Sequence, residues 1–357
     1  MTLSKLSPNL ANAVRACGDG QIKVIAYVKN RACFNALHSF DVRREYPFIN
    51  AVGLCCRAFE LEKLSKIPAV EYILEGTKVF TLDDGLSFEA VDGLSYPRSL
   101  TGKGTGLCVL DTGLAPHLDF CLPVSRIIEF KDMLNEKSSP YDDNGHGTFV
   151  TGVAAGNGVT SGLKYKGVAP DADIISVKVI GGEGEGGAFA VLDGMQWTLD
   201  NRKRLNIGVC CMSFGSTPQD INDPLKRGAE VLIRNNIAVV AASGNSGLNK
   251  LKSPAVSPEV ISVGAVDDSG EVAEFTSRGY VAGRQKPEIY ASGVDVISTA
   301  KGSAYGRMSG TSVAAPYIAG ACCLLLQRFP SATPHRLKEM LLLSSKPNND
   351  GKYILKL

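Results

Sequence analysis

The sequence predicts an α/β protein in which helices cover both faces of a parallel sheet, preceded by a small α+β unit. From Gly106 onward, strand candidates that are apolar almost throughout alternate with helix candidates, as in parallel sheets buried on both faces. The length of 357 residues also suits one medium domain joined to a smaller one. In such sheets, functional sites lie beyond the carboxyl ends of the strands.

The first unit is assigned to residues 1–82 and begins with an arm that we expect to be unstructured. Runs of β-branched residues predict its strands, and apolar residues at helical spacing predict its helices. The predicted elements are strands at 22–28, 48–56 and 70–74, a short helix at 34–40, and a helix carrying Leu61, Leu64 and Ile67. The turn-rich stretch from Val79 to Gly104 is predicted to be a connector.

The second unit is assigned to residues 83–357. Its predicted strands span residues 107–110, 174–180, 206–213, 237–242 and 259–265. Its predicted helices span residues 147–156, 187–201, 222–235, 313–328 and 333–344. The alternation of the two types predicts the parallel sheet.

Composition and charge exclude several classes of protein. Apolar residues make up 44% of the chain and charged residues 21%, which argues against disorder. The net charge of +2 offers no basic excess for nucleic acid or an anionic membrane, and no apolar run is long enough to span a bilayer. The ten cysteines form no Cys-x-x-Cys and include adjacent pairs with apolar neighbours, which favours buried thiols. With no leader segment visible, we expect a cytoplasmic protein.

Asp111 lies where a buried strand is predicted to end, in the segment Val-Leu-Asp-Thr-Gly. A turn after the strand would by itself explain the Asp-Thr-Gly sequence. Aspartic proteases also use Asp-Thr-Gly, but their chemistry needs two carboxylates that share a proton. The chain has no second Asp-Thr-Gly, so this alternative would require a dimer, and the parallel α/β pattern disfavours it.

His146 is one of four histidines and the only one with glycine on both sides. A lone histidine is more often structural than catalytic, but these glycines permit another segment to approach the imidazole closely. The small residues that follow predict a helix that packs tightly beneath it.

Ser312 lies in the segment Met-Ser-Gly-Thr-Ser-Val-Ala-Ala-Pro and is predicted to open a helix. Capping of the helix would by itself explain a serine at this place. A nucleophile there would also benefit from the N–H groups at the helix N-terminus. Pro316 is expected in the first turn, where its missing N–H matters little.

The three motifs follow one another in the order Asp111, His146, Ser312, with gaps of 35 and 166 residues. A serine nucleophile needs a base, and the base needs an orienting carboxylate. The order is that of subtilisin, itself the standard example of a triad that arose independently on another fold.

The chain resembles the subtilisin family of serine proteases over residues 99–342, in segments such as DNGHGT, MSFGS, VVAASGNSG and GTSVAAP. The resemblance implies a serine endopeptidase that cleaves proteins or peptides through an acyl-enzyme. Residues 20–82 resemble the inhibitory propeptide of the family, which implies a ferredoxin-like prodomain acting as an intramolecular inhibitor. A self-processing zymogen follows, with cleavage expected between Val79 and Asp84.

The resemblance also assigns roles to individual residues. Ser312 matches the nucleophile, His146 the general base and then acid, and Asp111 the residue that holds the imidazole. Asn245 matches the amide that stabilises the oxyanion, with the Ser312 N–H as a second donor. The residues implied to bind substrate are Gly184, Glu185, Gly186, Ser213, Phe214, Gly215, Ala242, Ser243, Gly244 and Lys252.

Lys252 and the glutamates near the cleft lead to expectations about specificity. By its spacing to Ser253 and Pro254, Lys252 falls at the floor of the primary pocket, where the family often has a small residue. Its ammonium would shorten the pocket and could pair with an acidic or amide side chain, unless Lys252 extends to solvent. Glu183 and Glu185 would weakly favour basic residues further upstream.

The chemistry requires no cofactor, whereas a structural calcium ion is left open. Asp119 is a candidate calcium ligand. However, the segment 156–162 does not resemble a carboxylate-supported loop, and a calcium ion needs six or more oxygen ligands.

The glycine-rich segment 182–187 matches Gly-x-Gly-x-x-Gly between a predicted strand and a predicted helix, which is the context of a dinucleotide-binding loop. Glu183 and Glu185 would then face a pyrophosphate, which disfavours an NAD-linked oxidoreductase. A third hypothesis is a subtilase-like regulatory or binding protein that its prodomain keeps inhibited. The intact set of Asp111, His146, Ser312 and Asn245 favours the enzyme.

Overall fold

A computed structural model describes residues 5–17, 20–82, 100–348 and 351–356. The N-terminal unit contains α1 (Pro8–Cys17), β1 (Gln21–Val28), β2 (Asp41–Tyr46), β3 (Ala51–Arg57), α2 (Ala58–Ser65) and β4 (Val70–Glu75), with a 3₁₀ helix at Arg31–Leu37. Its sheet has the order β2-β3-β1-β4, and all neighbours are antiparallel. This is the strand order of the βαββαβ, or ferredoxin-like, arrangement.

Two sequence predictions for this unit were wrong. The arm expected to be unstructured contains α1, because Leu10 is fully buried against the sheet and the Ser7 N–H donates to Ile73 O at 2.9 Å. The predicted short helix at 34–40 is a 3₁₀ helix that ends at Leu37. Strand β2 was missed, since its polar sequence Asp-Val-Arg-Arg-Glu-Tyr lacks the expected apolar alternation.

The second unit is built on a nine-stranded sheet. Its helices are α3 (Leu118–Cys121), α4 (His146–Ala155), α5 (Ala188–Asn201), α6 (Pro224–Arg234), α7 (Thr311–Arg328) and α8 (Pro334–Ser344). Strand β5 (Lys78–Thr81) lies between the two units. The strands of the second unit are β6 (Gly106–Asp111), β7 (Ile127–Asp132), β8 (Asp173–Lys178), β9 (Glu185–Gly187), β10 (Ile207–Met212), β11 (Phe214–Gly215), β12 (Ala238–Ala242), β13 (Ile261–Val266), β14 (Gly279–Val281), β15 (Arg284–Lys286), β16 (Ile289–Ser292), β17 (Val296–Ala300), β18 (Ala304–Met308), β19 (Lys346–Pro347) and β20 (Tyr353–Ile354).

The large sheet has the order β19-β20-β16-β13-β12-β10-β6-β8-β7, and only β19 pairs antiparallel. Alternate side chains of β6 enter the two cores: Leu107 and Val109 pack with α4 and α7, while Cys108 and Leu110 pack with α5 and α6. The predicted parallel sheet with helices on both faces is therefore confirmed.

Helix α7 begins two residues earlier than predicted. Thr311 is its first residue, so Ser312 lies within the first turn instead of capping the helix, and Gly310 occupies the cap. Pro316 consequently lies inside the helix, beyond the first turn, and the expectation for its position was wrong.

A small sheet joins the two units. Strand β5 lies between β11 and β9 and pairs antiparallel with both. The connector predicted from Val79 is therefore wrong for its first residues, since β5 reaches Thr81. The part of that connector from residue 83 to residue 99 lies outside the described residues.

Among the residues that the structure describes, no helix is both long and apolar enough to cross a membrane.

Lys286 is buried at the end of β15. Its Nζ donates to Val260 O at 2.9 Å and to Glu288 Oε1 at 2.7 Å, and Lys338 also contacts Glu288. Burial, reinforced by the Lys338 charge, lowers the pKa of Lys286 to about 8. The unfolded chain keeps this proton up to the usual lysine pKa of about 10.4, so folding releases it between these two values.

We therefore predict that Lys286 makes the free energy of unfolding rise with pH between about 8 and 10.4, because the unfolded state binds more protons there. Lys286→Met should remove that rise, a change on the order of 1–3 kcal/mol across the window. Urea titrations of the variant and of the exposed control Lys346→Met, both in a Ser312→Ala background, measure it. Identical pH slopes in both proteins would contradict the prediction.

Candidate active site

Asp111 and His146 form a buried hydrogen-bonded pair. Asp111 is the last residue of β6 and His146 the first of α4, and each side chain is about 1% exposed. His146 Nδ1 donates to Asp111 Oδ1 at 2.6 Å, and the Thr112 N–H donates to the same oxygen at 2.7 Å. Because the proton on Nδ1 is held in the hydrogen bond to the carboxylate, the neutral imidazole has Nε2 as its basic nitrogen.

The glycines around His146 permit this close approach, as the sequence predicted. Gly145 has a φ of 114°, which favours glycine. A Cβ on Gly147 would collide with Gly113 O and would lie 3.2 Å from the Asp111 Cβ. Any larger residue at position 147 would therefore push the histidine away from the aspartate.

Asp142 organises the same loop, and sequence analysis missed it. Its Oδ1 accepts hydrogen bonds from Thr112 Oγ1 at 2.9 Å and from the Gly145 N–H at 2.8 Å. Its Oδ2 accepts from the Thr148 N–H at 2.9 Å and from Thr148 Oγ1 at 2.7 Å. An aspartate three residues before a glycine that opens a helix is the signal that could have identified it.

Ser312 lies in the first turn of α7, which packs against α4, and its side chain is fully buried. A Cβ placed on Gly310 would lie 3.0 Å from Ser312 Oγ, 3.0 Å from Asn245 Nδ2 and 2.5 Å from Leu82 O. The hydroxyl, the amide and the carbonyl of Leu82 therefore surround one point.

Asn245 donates from Nδ2 to Leu82 O at 2.8 Å. Its Oδ1 accepts from the Thr311 N–H at 3.0 Å and from Thr311 Oγ1 at 2.8 Å, which fixes the orientation of the amide. Thr311 was not singled out by sequence analysis, although it lies in the serine motif. The second oxyanion donor, the Ser312 N–H, stays a prediction.

Strand β5 occupies the cleft between the two segments that were predicted to bind substrate. Lys78, Val79 and Phe80 pair with Gly187, Gly186 and Glu185 on one side, and Phe80 and Thr81 pair with Gly215 and Phe214 on the other. The Thr81 N–H also donates to Gly184 O at 3.0 Å. The glycine-rich segment thus pairs with a peptide strand, an arrangement unlike that of a phosphate-binding loop.

Side chains of the cleft strand and of Leu82 differ in their exposure. Val79 is fully buried, Phe80 is 42% exposed, and Leu82 is 8% exposed. Lys78, four residues before Leu82, forms an exposed ion pair in which its Nζ lies 3.0 Å from Glu185 Oε2. Ser213, Ala242 and Ser243 are fully buried behind the cleft.

Asp119 does not fit a calcium ion. Its Oδ1 accepts from the Thr160 N–H at 3.0 Å and from Thr160 Oγ1 at 2.6 Å, and its Oδ2 accepts from Tyr305 Oη at 2.6 Å. Donors directed at both carboxylate oxygens, one of them a backbone N–H, occupy the positions that a cation would need. The described residues contain no group of three or more His, Cys, Asp or Glu side chains suited to a metal.

The parallel α/β fold, with a carboxylate–imidazole pair, a helix-borne serine and a peptide carbonyl on an amide donor, defines a serine hydrolase whose cleft accepts an extended peptide. Residues 102–354 match the model of the Subtilase family. Because this match covers more than half of the chain, the protein belongs to the subtilase family of serine proteases.

Individual relatives agree with this assignment. The chain is 40% identical over 275 residues to "Serine protease AprX" of Bacillus subtilis (strain 168), covering 68% of this chain but only 62% of AprX. It is 33% identical over 307 residues to "Thermostable alkaline protease" of Halalkalibacterium halodurans, covering 85% of this chain and 80% of that protein.

Solved structures show the same fold. A cold adapted subtilisin-like serine proteinase superposes with a TM-score of 0.62 at 27% identity, covering 75% of this chain and 95% of that chain. Fervidolysin from Fervidobacterium pennivorans superposes with a TM-score of 0.77 at 20% identity, covering 95% of this chain and 60% of that chain. The second similarity shows the fold alone.

We predict that Asn245→Ala lowers kcat by about 10²–10³ with little change in KM, the range found when one such donor is removed from subtilisin itself. The amide stabilises a negative oxygen that develops only in the transition state, so binding of the ground state is spared. Steady-state kinetics on a peptide substrate measure the effect. Asn135→Ala, an exposed substitution of the same kind, is the control, and an equal loss in both would refute the role.

Proposed function

We propose that this chain is a serine endopeptidase made as a self-processing zymogen, and that the first peptide bond it cleaves follows Leu82. The position of the Leu82 carbonyl carries the proposal. Its oxygen accepts from Asn245 Nδ2 at 2.8 Å, beside Ser312, at the end of a strand held on both sides by main-chain pairing. This is the placement expected of a scissile carbonyl.

The proposed reaction uses the residues of the candidate site. Ser312 Oγ attacks the carbonyl carbon while His146 Nε2 takes the hydroxyl proton, and Asp111 stabilises the imidazolium through Nδ1. Asn245 donates to the oxyanion. His146 then gives the proton to the leaving amine, the C–N bond breaks, and water hydrolyses the acyl-enzyme by the reverse sequence of proton transfers.

The N-terminal unit supports a role as an intramolecular inhibitor, because it docks beside the cleft at several polar contacts. Arg44 Nε lies 2.8 Å from Asp193 Oδ2, and Tyr72 Oη donates to Asp220 Oδ2 at 2.5 Å. The Arg227 guanidinium lies 4.2 Å from the centre of the Tyr27 ring. This docking continues directly into β5, so the unit and the cleft strand would leave or stay together.

Self-processing predicts that wild-type protein runs as two fragments and Ser312→Ala as one chain, because only an activated hydroxyl can form the acyl-enzyme. Mass spectrometry of the smaller fragment should place its C-terminus at Leu82. Ser309→Ala, a serine of the same motif, is the matched control and should process normally. Intact wild-type protein with full peptide hydrolysis, or a processed Ser312→Ala protein, would overturn the proposal.

We also propose that the protein works in a reducing compartment such as the cytoplasm. The nine cysteines whose side chains the structure describes are free, and six of them are buried. Burial raises the pKa of the Cys211 and Cys322 thiols to about 12, which keeps them protonated and unreactive.

The matching prediction is that all ten cysteines of the chain are thiols in protein purified without reductant. Titration with a thiol reagent under denaturing, non-reducing conditions should count ten, and prior reduction should leave the count unchanged. A count that rises on reduction by several thiols would contradict the assignment.

A further inference from the structure

Lys252 lies between Gly215 and Gly244, which belong to the two segments predicted to bind substrate. A Cβ added to Gly215 would lie 2.5 Å from the Lys252 Cβ, and a Cβ added to Gly244 would lie 2.6 Å from the Lys252 Cγ. The Lys252 N–H donates to Ser243 O at 2.9 Å. The first two carbons of the lysine side chain therefore fill the space where the wall glycines approach each other.

Leu82 reaches the same place from the cleft. Its Cδ1 lies 3.2 Å from the position of a Cβ on Gly215, so its side chain and the stem of Lys252 both pack against that glycine. Leu82, the residue after the strand, is only 8% exposed, whereas Phe80 is 42% exposed. A leucine side chain thus ends where the lysine stem begins.

A cavity lies on the far side of the Lys252 stem. Its volume is about 530 Å³, and it is lined by Lys252 together with Thr217, Asn249, Lys250 and Tyr280. Without the stem, the primary pocket would gain depth in this direction. Among the described residues, no carboxylate forms an ion pair with the Lys252 ammonium.

The backbone that carries Lys252 is held rigidly. Ser253 exchanges two main-chain hydrogen bonds with Ser216, at 3.0 and 3.1 Å. Ser253 Oγ donates to Asp223 Oδ1 at 2.6 Å, and the buried Asp223 also caps α6 and accepts from the Gln219 N–H at 3.1 Å. These hydrogen bonds hold the backbone next to Lys252 in place, so the lysine stem stays between the two glycines.

We propose that the aliphatic stem of Lys252 sets the depth of the primary pocket, so that the enzyme selects leucine-sized side chains before the scissile bond and discriminates against aromatic ones. The proposal rests on the proposed function, since it concerns the substrate of the same site. Differences of a few methylenes in an apolar pocket change kcat/KM by about 10–200-fold.

The test uses peptides with the sequence of the cleft strand, Lys-Val-Phe-Thr-X, with X as Leu or Phe and a reporter amine after X. The measured quantity is the ratio of kcat/KM for Phe to that for Leu. Inhibition by the N-terminal unit lowers both values equally, so it cancels in the ratio. Labelling of Ser312 by a fluorophosphonate is measured on the same preparations.

Lys252→Gly should raise the Phe to Leu ratio about tenfold or more, and Lys252→Ala should raise it by less. Lys252→Met keeps a stem of similar size without the charge and should leave the ratio near that of wild type. Lys250→Gly, which changes an exposed lysine beside the same cavity, is the matched control.

Two results would overturn the proposal. One is a ratio that neither Lys252→Gly nor Lys252→Ala changes by more than twofold in protein that the fluorophosphonate labels. The other is an equal rise in Lys252→Met, which would assign the effect to the charge. Failure of the wild-type protein both to run as two fragments and to hydrolyse either peptide would instead refute the proposed function, so the two failures are distinguishable.

Discussion

Main-chain hydrogen bonding of the strand Lys78–Thr81 to two short strands is the constraint on which the arrangement of the site depends. The partners, Glu185–Gly187 and Phe214–Gly215, follow strands of the large sheet and are fixed by it. Pairing on both sides fixes the direction and the register of the inserted strand. The Leu82 carbonyl is therefore delivered to Asn245 by the backbone, and side chains only refine its position.

Buried carboxylates hold the loops that surround this strand. Asp142 accepts hydrogen bonds from the loop before His146, and Asp223 accepts one from Ser253, beside Lys252. Asp119 accepts hydrogen bonds from Thr160 and Tyr305 and so links their two segments. In each case hydrogen-bond donors from distant parts of the chain converge on one carboxylate, which compensates for its loss of hydration. Burial raises the pKa of Asp223, so the hydrogen bonds from Ser253 and the backbone offset an appreciable desolvation penalty.

Sequence reasoning located most of the regular elements and the pairing of Asp111 with His146, because long apolar strands and glycine-flanked motifs are local signals. It assigned β5 to a connector, although it placed the cleavage site in the same stretch, because the strand has only four residues and takes its partners from positions more than a hundred residues away. It also left Asp119 open, since the role of that carboxylate is decided by Thr160 and Tyr305, which no local pattern connects to it. Helix α1 was missed although Leu6, Leu10 and Val14 recur every four residues and pack in the core of the N-terminal unit.

The segment from Gln219 to Asp223 meets the N-terminal unit on one side and the primary pocket on the other. Gln219 Nε2 donates to Glu75 O, Tyr27 Oη donates to Asn222 O, and Asp223 accepts from Ser253. A coupling free energy between two sites is the same in both directions. These five residues contact both the N-terminal unit and the base of the pocket, so any free energy that couples retention of the unit to occupation of the pocket would be equal in both directions.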